Sequence, residues 1–270
     1  MLLSGRSILR AARSAAQGVE ALALPVACLA CAEAVGAPST VPLCGSCRLA
    51  LRPIAPPRCR RCGGTLDAWE VQGSGVRDQG LLTPDPRPLL PCGFCRGWPE
   101  SLAWAVSAVW FDDGAARALV HALKYGGWRI AAEPMAEVMA RELRAALAKG
   151  DLLVPVPLGA RRRRERGHNQ AELLASALGR RCGVRVDAAV LERTRETRTQ
   201  TALHPDQRRG NVAGAFRGSR PLAGRRVILV DDVLTTGATL AAAAEALTAA
   251  GSSEVGAVTF ARAGKPGADG

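Results

Sequence analysis

The sequence is poor in several features, and each shortage narrows what the protein can do. Tyrosine occurs once, phenylalanine four times and tryptophan five times in 270 residues, which are too few for an extended base-stacking surface. No apolar run approaches the roughly 20 residues of a membrane-spanning helix, so no membrane span is expected. The Gly-x-x-x-x-Gly-Lys-Ser/Thr motif does not occur, which excludes a P-loop nucleotide hydrolase.

The N-terminal 24 residues contain three arginines before their first acidic residue, Glu20. They lack the continuous apolar core of a secretory signal. We expect residues 1–24 to form a helix that leads into the first domain, with an amphipathic transit peptide as the alternative. A cytoplasmic location is expected.

The basic character comes almost entirely from arginine. The formal net charge is +12, and only three of the 36 basic residues are lysines. An anionic ligand or a nucleic acid would match this charge. A compositional bias toward alanine and arginine would give the same value, so the charge permits a nucleic-acid partner without indicating one.

Eight of the nine cysteines fall into four Cys-x-x-Cys pairs: Cys28/Cys31, Cys44/Cys47, Cys59/Cys62 and Cys92/Cys95. Each pair can present two thiolates to one metal ion, and two pairs complete a tetrahedral site. A disulfide framework fits poorly with the lack of a secretory signal, and redox chemistry would not need four pairs. We therefore predict two structural zinc ions in a double zinc ribbon at residues 25–100.

The spacing does not decide which pairs share a metal ion. We favour sequential sites, in which 28/31 joins 44/47 and 59/62 joins 92/95, and a cross-braced arrangement is the alternative. Residues 70–91 are rich in Gly, Pro and Asp and predict a loop inside the second ribbon. Cys182 stands alone and is expected to be a buried or idle thiol.

The most informative stretch begins at Arg226. Residues 227–230 are apolar and mostly β-branched, which predicts a strand buried on both faces. Asp231 and Asp232 are expected to end this strand. A turn rich in threonine and glycine follows, and residues 238–250 read as a helix, so this stretch predicts a ligand site at the carboxyl edge of a parallel sheet.

The turn has the composition of a phosphate site. Backbone N–H groups from Thr236 to Thr239 would be unpaired donors at a helix start, beside the positive end of the helix dipole. Threonine hydroxyls add donors, and Gly237 permits close approach. The carboxylates of Asp231 and Asp232 suit paired sugar hydroxyls, directly or through a divalent cation, so the arrangement fits a ribose 5-phosphate. The alternative is a buried strand with a polar end and an ordinary helix cap.

The remaining pattern alternates strands with helices. Predicted strands are 103–111, 151–157, 184–190 and 254–260, and predicted helices are 115–124, 132–149 and 171–180. Residues 161–166 predict a basic loop that binds an anion, against the alternative of a solvated arginine run. The polar segment 191–213 predicts a lid or a disordered loop, and residues 263–270 a disordered tail.

Several motifs then agree with one family. Residues 230–239, Val-Asp-Asp-Val-Leu-Thr-Thr-Gly-Ala-Thr, resemble the phosphoribosyl pyrophosphate (PRPP) motif of type I phosphoribosyltransferases. Further motifs precede it in order: His-Ala-Leu-Lys-Tyr-Gly-Gly at 121–127, Val-Pro-Val-Pro at 154–157, Arg-Glu-Arg-Gly-His-Asn-Gln at 164–170, Arg193 with Gln200, and Asn-Val-x-Gly-Ala-Phe at 211–216. With the zinc ribbons, residues 25–262 resemble the ComF family of phosphoribosyltransferase-like proteins linked to DNA uptake in natural competence. The sequence departs from the family at His168, where an aromatic residue is more usual, and in its long gap between Cys62 and Cys92.

The resemblance implies an α/β fold of the type I phosphoribosyltransferase kind, a doubly wound, mainly parallel sheet, at residues 101–262. It implies that Asp231 and Asp232 hold the ribose hydroxyls of PRPP. The implied 5-phosphate loop consists of Thr235, Thr236, Gly237, Ala238 and Thr239. The candidates for pyrophosphate and lid contacts are Lys124, Arg163, Arg164, Arg166, Arg193 and Gln200.

The resemblance also implies Mg²⁺ on the pyrophosphate oxygens. Two functions stay open. One is a phosphoribosyltransferase with an unknown acceptor. The other is a non-catalytic, PRPP-regulated protein that binds single-stranded DNA or a competence partner, with DNA-uptake or helicase proteins as the implied partners.

Overall fold

A computed structural model describes residues 26–35, 42–66, 92–112, 114–196 and 212–264. The predicted leader at 1–24, the whole loop at 70–91, residues 197–211 of the predicted lid with Gln200, and the last six residues of the predicted tail lie outside the described residues.

Five parallel strands form the central sheet in the order β1-β7-β6-β2-β3. These strands are β1 (Trp104–Trp110), β2 (Leu152–Pro155), β3 (Arg185–Val186), β6 (Arg226–Leu234) and β7 (Glu254–Arg262), and a separate antiparallel pair consists of β4 (Leu191–Arg193) and β5 (Phe216–Gly218). The chain leaves β2 toward β3 and leaves β6 toward β7, in opposite directions. The carboxyl ends of β2 and β6 therefore flank a crevice at a switch point, where open α/β sheets bind ligands.

Helices cover both faces of the sheet, which explains why most residues of its central strands are apolar and buried. Among the described residues the helices are α1 (Gly45–Leu49), α2 (Ala115–Lys124), α3 (Ala132–Leu143), α4 (Ala160–Arg166), α5 (Gln170–Cys182) and α6 (Ala238–Ala249), with 3-10 turns at Arg129–Ala131 and Arg144–Ala146. Leu119, Met135 and Leu174 from α2, α3 and α5 pack on one face. Leu240 and Leu247 from α6 pack on the other. The predicted parallel α/β core is confirmed.

Four local predictions were wrong in detail. The basic segment 161–166 is a helix, since Arg and Glu favour helices, Arg161 and Glu165 pair at i,i+4 with 2.8 Å between Nε and Oε1, and left-handed Gly167 ends it at φ 72°. The strand predicted at 184–190 spans only Arg185–Val186, and the helix predicted at 132–149 ends at Leu143. Residues 191–193 were assigned to a lid but form β4, which pairs antiparallel with β5 and buries Leu191.

The cysteine-rich segment is attached to strand β1. The Trp110 amide donates to the Arg52 carbonyl at 2.8 Å, and the Ala105 amide donates to the Arg61 carbonyl at 2.8 Å. Cys28 packs in the core on the face of the sheet that α3 covers. Cys59, Cys62 and Cys95 pack in the core on the face that α6 covers. The segment thus pairs with backbone groups of an edge strand and contacts both cores.

Candidate functional site

Two clusters of four cysteines lie among the described residues, and in each the Sγ atoms are within 4.8 Å of one another: Cys28, Cys31, Cys44 and Cys47 in the first, and Cys59, Cys62, Cys92 and Cys95 in the second. In the second cluster the Sγ–Sγ distances are 3.5 Å for Cys62–Cys92 and 3.7 Å for Cys59–Cys95. A zinc ion with Zn–S bonds of about 2.3 Å has tetrahedral edges of about 3.8 Å. The residues therefore fit zinc, and the sequential pairing is confirmed.

In the second cluster the thiol contacts shift the cysteine pKa values in opposite directions. Contacts with the thiol of Cys62, and then with those of Cys92 and Cys95, lower the pKa of Cys59 far below its usual range, whereas contacts with Cys59 raise the pKa of Cys62 and of Cys95. Thiolates are the form that binds zinc. In the first cluster the Cys44 amide donates to Cys28 Sγ, and the Cys47 amide donates to Cys44 Sγ, each at 3.4 Å.

A second candidate site is a cavity of about 520 Å³ at the carboxyl ends of β2 and β6. Its lining includes Val156 to Leu158 after β2, and Asp231 to Thr235 at the end of β6 and just beyond it. The volume lies in the range of small-ligand sites. Residues 231–235, from the acidic and threonine-rich stretch, therefore lie in the wall of a cavity large enough for a small ligand.

Asp231 and Asp232 lie within β6 rather than at its end, because the strand continues to Leu234 with β7 as its partner. Consecutive strand residues point to opposite faces. Asp231 is half-buried, and burial, followed by the charge of Asp232, raises its pKa to about 7. Asp232 is 4% exposed, and both carboxylates line the cavity.

Lys124 is the charge partner of this pair. Its Nζ lies 2.9 Å from Oδ2 of Asp232, and its side chain is 20% exposed. The lysine ends helix α2, where a cation meets the negative end of the helix dipole. The structure therefore places Lys124 in the cavity wall and not in solvent.

The threonine-rich turn connects β6 to α6. Gly237 has φ 79° and is the N-cap of α6, and as a glycine it offers no capping side chain. The Ala238 amide donates to Thr236 Oγ1 at 3.4 Å, and the first amides of an α-helix have no acceptor within the helix itself. Thr235, Gly237 and Thr239 line the cavity. Thr236 and Ala238 lie in the same turn but are not among the cavity-lining residues, and the Thr236 carbonyl accepts from Trp98 Nε1 at 3.1 Å.

Helix α4 places only some of the candidate arginines in the cavity wall. Arg166 lines the cavity together with Arg162, because residues four apart share a helix face. Arg163 pairs with Glu172, with 3.0 Å between Nη1 and Oε1. Arg164 is exposed and is not among the lining residues.

Arg193 also lines the cavity, and burial lowers its pKa. Gln200 lies outside the described residues. Sequence reasoning missed Arg162, Tyr125 and Gln170, all of which line the cavity. Periodicity could have indicated Arg162 once residues 160–166 were assigned to a helix.

Comparisons with known proteins agree with this architecture. Residues 131–269 match the phosphoribosyl transferase domain family, and residues 19–79 match the double zinc ribbon domain family. The latter match stops before Cys92 and Cys95, which the structure adds to the second cluster. The chain is thus a double zinc ribbon joined to a phosphoribosyl transferase domain.

Whole-length relatives make the assignment more specific. DNA utilization protein YhgH of Salmonella typhimurium (strain LT2) is 34% identical over 222 residues, which cover 80% of this chain and 95% of that protein. YhgH of Escherichia coli (strain K12) is 33% identical with the same coverage. Competence protein F of Haemophilus influenzae (strain KW20) is 40% identical over 93 residues, or 33% of this chain and 41% of that protein. The chain therefore belongs to the ComF family.

Among solved structures, a purine phosphoribosyltransferase from Pyrococcus horikoshii shares 16% identity over 49% of this chain and 82% of that chain, with a TM-score of 0.30. That score is too low to add to the assignment. No helix in the described part of the chain is both long and apolar enough to cross a membrane.

Proposed function

We propose that the chain binds PRPP in the cavity between β2 and β6, and that it acts as a phosphoribosyltransferase with an acceptor still to be identified. The convergence of an acidic pair, a helix start and several cations on one cavity carries this proposal. A sugar with vicinal hydroxyls and anionic groups at both ends matches that arrangement.

Each part of the cavity has a separate task in the proposal. Asp231 and Asp232 accept hydrogen bonds from the ribose hydroxyls. The turn 235–239 donates backbone amides and threonine hydroxyls to the 5-phosphate. The cations Lys124, Arg166 and Arg193 contact the pyrophosphate. Arg162, which lines the cavity, replaces Arg163 and Arg164 as a candidate for the same contact.

The transfer itself needs little covalent help from the protein. Pyrophosphate leaves from C1 of the ribose, so the C1–O bond breaks with its electron pair on the departing oxygen, and the acceptor forms the new bond. The arginines stabilise the departing charge, and the turn and the carboxylates hold the sugar in place. Bound Mg²⁺ would neutralise part of the pyrophosphate charge, and the oxygen ligands of Asp231 and Asp232 suit it.

Pyrophosphate release tests this proposal. The purified protein is incubated with PRPP, Mg²⁺ and a panel of nucleobases, while PRPP binding is measured by calorimetry. Binding with base-dependent pyrophosphate release is the expected result. Binding without release for any base would favour the non-catalytic, PRPP-regulated alternative, and absence of binding would reject the assignment of the cavity.

One surface observation favours single-stranded DNA as a second ligand. Tyr125 and Trp128 are 67% and 55% exposed in the turn after α2, with Ile130 at 41% beside them. The Arg166 guanidinium carbon lies 5.0 Å from the centre of the Tyr125 ring. Exposed aromatic rings can stack on bases, and a neighbouring arginine can contact phosphates. The exposure of Tyr125 and Trp128 therefore supports DNA binding, although the sequence contains few aromatic residues.

Fluorescence anisotropy with a labelled oligothymidine tests this second function. Tyr125→Ala combined with Trp128→Ala should weaken binding by about tenfold or more, since stacking contributes roughly 1–3 kcal/mol per base. Leu49→Ala is the control, because Leu49 is 89% exposed on the zinc-ribbon segment. Equal DNA affinity of the wild type, the double variant and the control would exclude the turn after α2 as the DNA-binding surface.

The names of the relatives support a biological setting for the proposal. They are called DNA utilization and competence proteins, and we propose that this chain likewise acts in DNA uptake. DNA-uptake proteins or a helicase would then be its partners. A cytoplasmic location belongs to the same proposal, because zinc-binding thiolates persist in a reducing compartment.

A further inference from the structure

The second cysteine cluster contacts the turn that precedes α6. Trp98 follows Cys95 by three residues and is 8% exposed. Its Nε1 donates to the carbonyl oxygen of Thr236 at 3.1 Å. Its ring also lies over Gly237, where an added Cβ would fall 2.6 Å from Cε2 and Nε1.

This hydrogen bond sets the direction of the peptide between Thr236 and Gly237. In a trans peptide the carbonyl and the following N–H point in opposite directions, and this bond is trans. Trp98 holds the carbonyl on its own side, so the Gly237 N–H points away from Trp98. Gly237 lines the cavity, and that N–H is one of the donors assigned to the 5-phosphate.

The cysteine cluster holds Trp98 firmly in place. The Trp98 amide donates to the Cys95 carbonyl at 3.0 Å. Nη2 of Arg61 donates to the carbonyls of Trp98 and Pro99 at 3.3 and 2.8 Å. Phe94 packs edge-on against the Trp98 ring, with 5.8 Å between ring centres.

A second arginine connects the same unit to the sheet. Arg262, the last residue of β7, is 4% exposed and donates from Nη1 to the Cys62 carbonyl at 3.1 Å. Its guanidinium carbon lies 3.8 Å from the centre of the Phe94 ring. The second cysteine cluster, Phe94 and Trp98 thus form one packed unit against the end of β7.

From these contacts we infer that Trp98 is a positioning residue for the 5-phosphate turn, and that zinc in the second site sustains PRPP affinity by holding Trp98 in place. The inference rests on the proposed function, which assigns the 5-phosphate to this turn. The first cysteine cluster packs with the opposite core and has no such connection among the described residues. Loss of zinc from the two sites should therefore have different effects on the turn.

Trp98→Phe tests the hydrogen bond, because it keeps a ring and removes the donor. Trp104→Phe is the matched control, since Trp104 is also buried and its Nε1 donates to Glu254 at 2.8 Å, at the amino ends of β1 and β7 and away from the cavity. Trp98→Phe should weaken PRPP binding about tenfold by calorimetry, and amide exchange at residues 235–240 should rise while exchange at 227–230 does not. Trp104→Phe should bind PRPP as the wild type does.

Cys92→Ser and Cys31→Ser test the zinc connection, each by removal of one ligand from one cluster. Both should lose one zinc ion, but only Cys92→Ser should accelerate exchange at residues 235–240 and weaken PRPP binding. Equal effects of both variants, or none of either, would overturn the inference, as would wild-type exchange in Trp98→Phe. If the wild type binds no PRPP, the proposed function fails, and the exchange measurements still decide whether Trp98 and zinc order the turn.

Discussion

Lys124 and Asp232 form an ion pair that connects helix α2 to the central strand, with 2.9 Å between Nζ and Oδ2. Asp232 is nearly buried, so the lysine supplies most of the opposite charge that its carboxylate needs. The pair also lines the cavity. The same contact therefore contributes to stability and to the electrostatics of the proposed PRPP site.

Removal of the lysine charge should lower both stability and PRPP affinity. Lys124→Met leaves Asp232 without its cation, and a broken buried pair costs roughly 3 kcal/mol. Urea denaturation should show this loss, and calorimetry should show weaker PRPP binding. Lys149→Met, at an exposed position, should change neither; unchanged stability in Lys124→Met would show that Asp232 does not depend on the pair.

Neutralising the acidic pair should abolish PRPP binding while DNA binding persists. Charge-assisted hydrogen bonds contribute about 1.5–3 kcal/mol each, so Asp231→Asn with Asp232→Asn should weaken PRPP binding about a hundredfold or more. DNA affinity should stay equal or rise slightly, because negative charge is removed. Asp187→Asn, which lies at the surface ion pairs of Arg185 and Arg220, is the control. PRPP binding at wild-type strength in the double variant would make the pair structural.

The free energy of unfolding of the ligand-free protein should depend on pH through the titration of Asp231. Its pKa is raised from about 3.8 to about 7 in the folded state, by burial first and by Asp232 second. Its contribution is therefore fully present below about pH 4 and is lost as the pH rises through about 7. The free energy of unfolding should fall more between pH 5 and pH 8 in the wild type than in Asp231→Asn. Identical pH dependence in the two proteins would contradict the raised pKa.

The purified protein should contain about two zinc ions per chain. Cys59→Ser should lower the zinc content to about one and loosen the zinc-ribbon segment, because structural zinc stabilises small domains directly. Cys182→Ser is the control, since Cys182 belongs to neither cluster. Elemental analysis of protein purified without chelator measures both, and zinc near zero with intact thiols would refute the double-ribbon assignment.

Much of the candidate site could be predicted from the sequence because its parts are short, continuous segments. The pairs of cysteines, the apolar strand, the acidic pair and the threonine-rich turn each occupy a few consecutive residues, and their chemistry depends on composition and spacing. The alternation of strands and helices similarly predicts the parallel core. Boundaries were less predictable: β6 continues past Asp232 because β7 supplies hydrogen-bonding partners to its end.

Tertiary structure alone decided the contacts between distant segments. The Trp98–Thr236 hydrogen bond joins residues 138 positions apart, and no local pattern specifies such a pair. The cysteine pairing, the burial of Lys124 against Asp232 and the choice of Arg162 over Arg163 all depend on how folded elements pack. Local sequence determined which chemical groups the protein carries, because propensity and spacing act over a few residues; packing of the sheet, its helices and the zinc-ribbon segment determined which of them meet in one cavity.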